Sequence, residues 1–248
     1  MFTKNQSKLI KSLHDKKGRK ESGFFLVEGE KSSVELLNSD FEIEYAIFTE
    51  YFYNKYSELV EKNITNYDVV SQEEIEKNGT LESNDSALII TKQREIPLPT
   101  LKGDEIILAL DEIKDPGNLG TIIRIADWYG IKNIIASENT TDFYNPKTIS
   151  ASKGSFARIN VFYTNLEEYL PKTKLPILGA FLGGSDVHTF NFPKSGILLM
   201  GNESNGINKD LEKVVTEKIT IPSYGKAESL NVAIATSVII DNWKRKNA

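Results

Sequence analysis

A chain of 248 residues is long enough for one large domain or two of ordinary size. The absence of cysteine excludes disulfides, thiolate nucleophiles and zinc–thiolate sites, and the two histidines, His14 and His188, are too far apart in sequence for an imidazole metal motif. The net charge of −5 argues against a surface coated with positive charge for nucleic acid. The sequence therefore predicts no metal site built on imidazole or thiolate, although carboxylates could still hold magnesium, and no general coat of positive charge.

Neither the N-terminus nor the apolar runs indicate a membrane. The first residues, MFTKNQ, lack the apolar core of a signal peptide. The longest apolar run, residues 232–240, is interrupted by Thr236 and Ser237 and is too short to span a bilayer. We expect a soluble, cytoplasmic protein without a membrane partner.

Positive charge is concentrated near the N-terminus, where a single aspartate, Asp15, accompanies seven basic residues. These are Lys4, Lys8, Lys11, Lys16, Lys17, Arg19 and Lys20. A local patch can bind phosphates even when the total charge is negative, because salt screens charges more than about 10 Å apart. The alternative interpretation is a solvated helix face.

The first third of the chain alternates predicted strands and helices. Residues 5–13 have helical spacing, and Ser71 begins a capping-box pattern that predicts a later helix. The predicted strands are 24–27, 45–48, 67–70 and 87–91. Such alternation predicts a small α/β domain over residues 1–94. Pro97 and Pro99 then favour extended chain, so residues 95–103 are predicted to be a linker.

The remainder, residues 104–248, has the pattern of a second α/β domain. Its predicted strands are 106–110, 133–136, 176–181, 196–200 and 218–221. Its predicted helices are 121–129, a short one after Asn145, 208–215 and one beginning near Asn231, and residues 111–119 are predicted to be a loop. Strands joined by helical crossovers predict a mostly parallel sheet with helices on both faces, which binds ligands beyond the carboxyl ends of its strands.

Three polar loops follow those strands, at residues 115–120, 201–206 and 222–231. They contain neither of the two standard glycine-rich phosphate motifs, so a nucleotide-like ligand would not be held by phosphates in the usual ways. Each polar residue also has an ordinary interpretation. Asn231 could cap a buried helix, Arg124 could pair with Asp127 on the surface, and Glu203 could sit at the start of the next helix.

Taken together, these stretches resemble a known family. The segments DPGNLGTIIRIADWYGI, LLMGNESNGI and IPSYGKAESLNVAIATSVI, with ISASKGSFARINV between the first two, resemble the SpoU (TrmH-like) branch of the SPOUT RNA 2′-O-ribose methyltransferases. The segment FLVEGEKSSVELL is similar to the substrate-binding domain that precedes the catalytic domain in many ribosomal RNA members. The resemblance to the catalytic domain covers residues 106–243, and that to the substrate-binding domain rests on a shorter motif.

The resemblance implies a C-terminal trefoil knot, a homodimer whose partner completes the RNA site, and S-adenosylmethionine as cofactor. It implies cofactor contacts by backbone groups around Gly201, Ile221 and Leu230. It implies that the catalytic residues are Asn118, Arg124, Glu203, Ser229 and Asn231. The implied substrate is a ribose 2′-hydroxyl of structured RNA, not DNA, with ribosomal RNA favoured over transfer RNA by the additional N-terminal domain.

Two positions depart from the family pattern, Ser204 where glycine is common and Ala233 where serine is frequent. Arg124 is assigned by the resemblance to the reacting hydroxyl or the adjacent phosphate. An arginine stays protonated in proteins, so we favour a phosphate clamp over a general base. The alternatives are a tRNA 2′-O-methyltransferase, a knotted RNA-binding protein without catalysis, and an unrelated nucleotide-binding enzyme.

Overall fold

The structure, a computed structural model, describes residues 2–99, 101, 103 and 105–247. The described residues exclude two positions of the predicted linker, Thr100 and Lys102. They also exclude Met1, Asp104 and Ala248. The chain divides into two compact units. The N-terminal unit contains residues 1–95 and 142–158, and the C-terminal unit contains residues 96–141 and 159–248.

The described elements alternate along the chain. The strands are β1 (Phe24–Glu28), β2 (Ile43–Phe48), β3 (Tyr67–Val69), β4 (Ala87–Lys92), β5 (Ile106–Leu110), β6 (Asn133–Ser137), β7 (Asn160–Thr164), β8 (Ile177–Asp186), β9 (Gly196–Met200) and β10 (Glu217–Thr220). The α-helices are α1 (Lys4–Ser12), α2 (Lys16–Ser22), α3 (Glu30–Leu37), α4 (Glu50–Asn63), α5 (Gln72–Asn78), α6 (Pro116–Trp128), α7 (Pro146–Ser152), α8 (Leu166–Tyr169), α9 (Lys209–Glu212) and α10 (Val232–Lys246).

The N-terminal unit is a four-stranded mixed sheet in the order β1-β4-β2-β3, with β4 antiparallel to both neighbours. One face buries Ile10 and Leu13, which end the predicted N-terminal helix, against Leu26 and Ile90 of the strands. The lysines of α1 are on the exposed side, as expected for an amphipathic helix. All four strands predicted for this part of the chain are present.

The segment 142–158 completes this unit from far along the chain. Phe156 is buried and lies 6.2 Å from Phe25 and 6.1 Å from Phe41, between ring centroids. Asp142 accepts hydrogen bonds from the guanidinium of Arg19, at 3.0 and 2.7 Å. Arg19, predicted as part of a surface basic patch, is only 2% exposed, so its assignment to that patch is wrong.

The C-terminal unit is a six-stranded sheet in the order β10-β8-β9-β5-β6-β7, and every neighbouring pair is parallel. Ile107 and Ala109 of β5 pack with Leu166 of α8 and Leu211 of α9, while the alternate residue, Leu108, is equally buried. Because successive strand residues point to opposite faces, both faces of the sheet are covered. The predicted α/β class with a parallel sheet is confirmed.

Three sequence-based boundaries were wrong. The last four residues of the stretch predicted as a loop over 111–119 are helical, because α6 begins at Pro116. The half-buried edge strand β7 was not predicted, and α9 is only four residues long where a helix over 208–215 was expected.

Within the described residues, no helix is long and apolar enough to cross a membrane, and no group of three metal-ligating side chains is present.

Candidate active site

The polar loops after β5, β9 and β10 meet at the carboxyl edge of the C-terminal sheet. The loop after β5 leads directly into α6, for which Asp115 is the N-cap residue and Pro116 the first residue. The Asp115 Oδ1 accepts the backbone N–H of Asn118 at 2.8 Å. This bond satisfies a backbone donor of the first turn, which leaves the Asn118 side chain free to bond elsewhere.

Asn231 occupies the same kind of position at the start of α10. Its Oδ1 accepts the backbone N–H groups of Ala233 and Ile234, at 3.0 and 3.3 Å. Because those donors fix the amide oxygen toward the helix, the Nδ2 group must face away from it. The Asn231 Nδ2 donates to Asn118 Oδ1 at 2.9 Å.

That orientation propagates to a carboxylate. Since the Asn118 oxygen accepts from Asn231, its Nδ2 is available as a donor, and it bonds to Glu203 Oε1 at 3.0 Å. Asn231, Asn118 and Glu203 thus form a directed chain whose polarity is set by the helix N–H groups of α10. The positive ends of α6 and α10 both lie at this chain, which favours a carboxylate there. We call these residues the Asn231–Asn118–Glu203 chain.

The other two predicted catalytic residues, Arg124 and Ser229, are not hydrogen-bonded to the Asn231–Asn118–Glu203 chain. Arg124 is exposed on α6, and its side chain makes no hydrogen bond or ion pair with any described residue. Ser229 is exposed in the loop before α10, and its hydroxyl has no hydrogen-bond partner among the described residues. Both side chains are therefore free to contact a ligand.

The loop over residues 221–230 exposes its backbone. Residues 223–230 are all exposed, and Ile221 is half-buried. None of the backbone groups of 221–230 bonds to another backbone group in the described part of the chain. A loop of this kind offers unpaired N–H and C=O groups to a ligand. Ile221 and Leu230, two of the predicted cofactor-binding residues, lie in it.

Gly201, the third predicted cofactor-binding residue, is required by close packing of the backbone. A Cβ atom at this position would collide with the backbone of Gly206 and Ile207. The loop after β9 therefore closes tightly on itself directly after the strand. A side chain at residue 201 would force this turn apart.

The ordinary interpretation is present at Asn231, which caps α10, but not at Glu203. Glu203 bonds to Asn118, and the following helix α9 is capped instead by Asn208, whose side chain accepts the N–H of Asp210. The two departures from the family pattern contribute backbone groups to the site. Ser204 donates its N–H to Asn202 and Ala233 donates its N–H to Asn231, so neither contact depends on the side chain.

A second polar cluster supports the loop after β5. Burial raises the pKa of Asp111, against the opposing effect of a hydrogen bond from the Asn208 N–H at 2.8 Å. Hydrogen bonds from Asn139 and Lys114 lower the pKa of Glu112. The cluster links loops after three neighbouring strands, β9, β5 and β6.

Sequence reasoning missed Asp111, Glu112, Asp115 and Asn202 as supporting residues. A signal for Asp115 was present, because aspartate followed by proline is typical of an N-cap and a first helical residue. The roles of the others depend on bonds between loops distant in sequence, such as the bond from Asn202 to Glu112. No local pattern indicates such bonds.

Comparison with known proteins agrees with this architecture. Residues 105–241 match the model of the SpoU rRNA Methylase family, and residues 4–88 match the model of an MRM3-like substrate binding domain. A 23S rRNA (guanosine(2553)-2′-O)-methyltransferase, RlmP of Bacillus subtilis, is 31% identical over 242 residues, which are 96% of this chain and 95% of that protein.

Solved structures give the same result. An AdoMet-bound rRNA methyltransferase from Sinorhizobium meliloti is 30% identical, with a TM-score of 0.88 over 99% of this chain and 96% of that one. A putative RNA methyltransferase of the TrmH family from Porphyromonas gingivalis is 29% identical, with a TM-score of 0.86 over 99% of both chains. The family model covers more than half of the sequence, and the full-length similarity agrees with it: the chain belongs to the SpoU rRNA methylase family.

Proposed function

We propose that the protein transfers a methyl group from S-adenosylmethionine to a ribose 2′-hydroxyl of ribosomal RNA. The observation that carries the proposal is the Asn231–Asn118–Glu203 chain, which joins three loops at the ligand-binding edge of a parallel sheet. A similar protein over nearly the whole chain is named as a 23S rRNA 2′-O-methyltransferase. That name supports ribosomal RNA over transfer RNA as the substrate.

The described residues fit S-adenosylmethionine. The loop over 221–230 has unpaired backbone groups, and the glycine at 201 keeps the opposing turn tight. Gly201, Ile221 and Leu230 would hold the cofactor through their backbones. When bound, the cofactor would supply an activated methyl group, carried on a positively charged sulfur, for transfer to the ribose oxygen.

Arg124 contributes charge to this reaction. Its guanidinium stays protonated, so it cannot take the hydroxyl proton, but it can bind a phosphate beside the target ribose through two parallel hydrogen bonds. Its freedom from internal partners supports this role. A fixed positive charge beside the hydroxyl also stabilises the developing negative oxygen, which lowers the barrier.

Asn118, Glu203, Ser229 and Asn231 have orienting roles in the proposal. The directed hydrogen bonds between Asn231, Asn118 and Glu203 orient the Asn118 amide so that its Nδ2 faces the carboxylate before substrate arrives. Such preorganisation avoids rearrangement during the reaction. The free hydroxyl of Ser229 lies in the same loop as Leu230 and would contact the ribose or the cofactor.

We further propose that the protein is a homodimer. Trp128 of α6 is 84% exposed, and Ile234 of α10 is 54% exposed, although α6 and α10 pack against each other. Large apolar side chains exposed on adjacent helices are typical of an interface. Sedimentation equilibrium should give twice the chain mass, and Trp128→Asp should shift the equilibrium to the monomer. A wild-type monomer at micromolar concentration would contradict the proposal.

The C-terminal trefoil knot is also a proposal, based on family membership. Stretching a single molecule from its two ends tests it directly. A knot would leave the fully extended chain shorter than the unknotted contour length, whereas an unthreaded chain would reach the full length.

The N-terminal unit would bind the RNA. Lys4, Lys8 and Lys11 are exposed along α1, and Lys16 and Lys17 are exposed on α2. A lysine that neutralises a phosphate releases about 0.7 to 0.9 counterions, so replacing Lys16 and Lys17 by alanine should reduce the salt dependence of RNA binding by one to two units of slope, roughly. Lys213→Ala, a single exposed lysine of the other unit, is the control and should change the slope least. An unaltered slope in the double variant would indicate that Lys16 and Lys17 belong to a solvated helix face and do not bind RNA.

Transfer of tritium from labelled S-adenosylmethionine to RNA tests the main proposal. Unmodified ribosomal RNA should accept label, and digestion should place it on a ribose. Arg124→Ala should reduce the rate by about 100-fold, a typical loss for one group that stabilises the transition state. Label in transfer RNA alone would indicate a tRNA enzyme. Cofactor binding without transfer to any RNA would indicate a binding protein, and an unchanged rate in Arg124→Ala would remove Arg124 from the mechanism.

We propose a cytoplasmic location, since ribosomal RNA is the proposed substrate and the described residues contain no membrane-spanning helix.

A further inference from the structure

Glu203 is displayed on a short turn after β9. The backbones of Asn202 and Gly206 bond to each other in both directions, each at 3.0 Å, which closes the turn. Inside it, the Oδ1 of Asn202 accepts the N–H groups of Ser204 and Asn205, at 2.9 and 3.1 Å. One side chain therefore organises both residues that follow Glu203.

The same side chain fastens the turn to the loop after β5. The Nδ2 of Asn202 donates to the backbone oxygen of Glu112 at 2.8 Å. Glu112 has φ of 53°, a left-handed conformation that is uncommon for a residue with a side chain. The N–H of Glu112 donates to Ser137 Oγ at 2.8 Å, and its carboxylate accepts from Asn139 at 2.9 Å. The loops after β6 and β9 therefore both contribute hydrogen bonds that stabilise this conformation of Glu112.

Glu203 itself is exposed, and Asn118 is its hydrogen-bond partner among the described residues. A single bond of 3.0 Å does not fix an exposed glutamate, which has several rotatable bonds to restrict. The position of its backbone must therefore come from the turn. That turn is held by the three hydrogen bonds of the Asn202 side chain.

We propose that Asn202 is a positioning residue for methyl transfer: it locks the turn that presents Glu203 to Asn118 and ties it to the backbone of Glu112. The inference rests on the proposed function for its kinetic consequence. Asn202 touches neither RNA nor cofactor in this role and acts through Glu203.

A double-mutant cycle tests whether Asn202 acts through Glu203. Misplacing a catalytic group by about 1 Å costs roughly 100-fold in rate, so Asn202→Ala should lower kcat by about 10- to 100-fold. Glu203→Gln should lower kcat by a similar factor. If Asn202 acts only by placing Glu203, the double variant should be no more than about twofold slower than Glu203→Gln. If kcat of the double variant instead falls by the product of the two single-variant factors, the two residues act independently and the inference is overturned.

Asn205→Ala is the matched control. Asn205 is in the same turn and uses its backbone N–H, while its side chain makes no hydrogen bond to any described residue. It should retain the wild-type kcat. A loss equal to that of Asn202→Ala would show that the turn tolerates no change, which contradicts a specific role for Asn202.

Amide hydrogen exchange separates failure of this inference from failure of the proposed function, because it requires no RNA. The amides of Ser204 and Asn205 should exchange at least tenfold faster in Asn202→Ala than in the wild type or in Asn205→Ala. Unchanged exchange would overturn the inference, whatever the activity. A wild-type protein that transfers no methyl group would overturn the proposed function, and faster exchange in that case would still support the positioning of the turn by Asn202.

Discussion

The bond between Arg19 and Asp142 makes a quantitative prediction about how the N-terminal unit is completed. The guanidinium of Arg19 is buried and also donates to the backbone oxygens of Leu13 and His14, at 2.8 and 2.9 Å. Among the described residues, Asp142 supplies the carboxylate that pairs with this charge, and Asp142→Ala removes it. Removing one partner of a buried pair costs about 3 to 5 kcal/mol, because the other charge remains buried and unpaired.

The lower end of that range is expected here. The Asp142 side chain is 19% exposed, so water can partly solvate the remaining charge, and the two backbone oxygens still accept from Arg19. A loss of about 3 kcal/mol reduces the folding equilibrium constant more than 100-fold. Urea unfolding followed by circular dichroism should show this loss. Hydrogen exchange should place it in peptides from residues 1–95.

Lys17→Ala is the control for this experiment. Lys17 pairs with Glu21 at 3.8 Å, but both side chains are largely exposed, so the change should cost about 0.5 kcal/mol or less. Replacing both Arg19 and Asp142 with apolar residues should cost less than Asp142→Ala alone, since no unpaired charge remains. If Asp142→Ala is no more destabilising than Lys17→Ala, the buried pair does not complete the unit and the reasoning is refuted.

Three further predictions concern single side chains. Phe156→Ala should destabilise the N-terminal unit by about 3 to 5 kcal/mol in urea unfolding, because it empties a buried ring site against Phe25; a loss below 1 kcal/mol would contradict that packing. Asn231→Asp should keep the melting temperature within a few degrees, since a carboxylate still caps α10, but it cannot donate to Asn118; methyl transfer at the wild-type rate would show that the bond is unimportant. Asp111→Asn should raise the free energy of unfolding at pH 7 and remove one contribution to its pH dependence. The raised pKa of Asp111 means that the folded state binds its proton more tightly, so its ionisation costs stability as the pH rises above the ordinary value of 3.8; equal unfolding free energies of the two proteins from pH 3 to pH 7 would refute this.

The sheet and the convergence of its loops could be predicted because they have local signals. Continuous apolar runs such as 106–110 indicate buried parallel strands, and polar residues after such strands must gather at one edge. The bonds between Asn118, Glu203 and Asn231 agree with that expectation. The parallel sheet follows from the alternation of strands and helices alone.

Other features depend on tertiary contacts that no short pattern contains. The basic segment around Arg19 is typical of a solvated face, yet one of its side chains is buried against a carboxylate 123 residues away in sequence. The segment 142–158 contains a capped helix but no indication that Phe156 packs on β1 of the N-terminal unit. Strand β7 was missed because it is a half-buried edge strand whose apolar residues are mixed with polar ones. The early start of α6 did have a local signal, the sequence Asp115-Pro116, which our boundary at 121 overlooked.

A map of ribose methylation tests the central claim most directly. Ribosomal and transfer RNA from cells with and without this protein should be compared for 2′-O-methylation at every nucleotide. We expect a methylated ribose in ribosomal RNA to be lost without the protein, restored by the wild-type gene, and restored poorly by Asn118→Ala. Identical maps from the two kinds of cell, or full restoration by Asn118→Ala, would contradict the claim that the Asn231–Asn118–Glu203 chain forms the centre of an RNA methyltransferase.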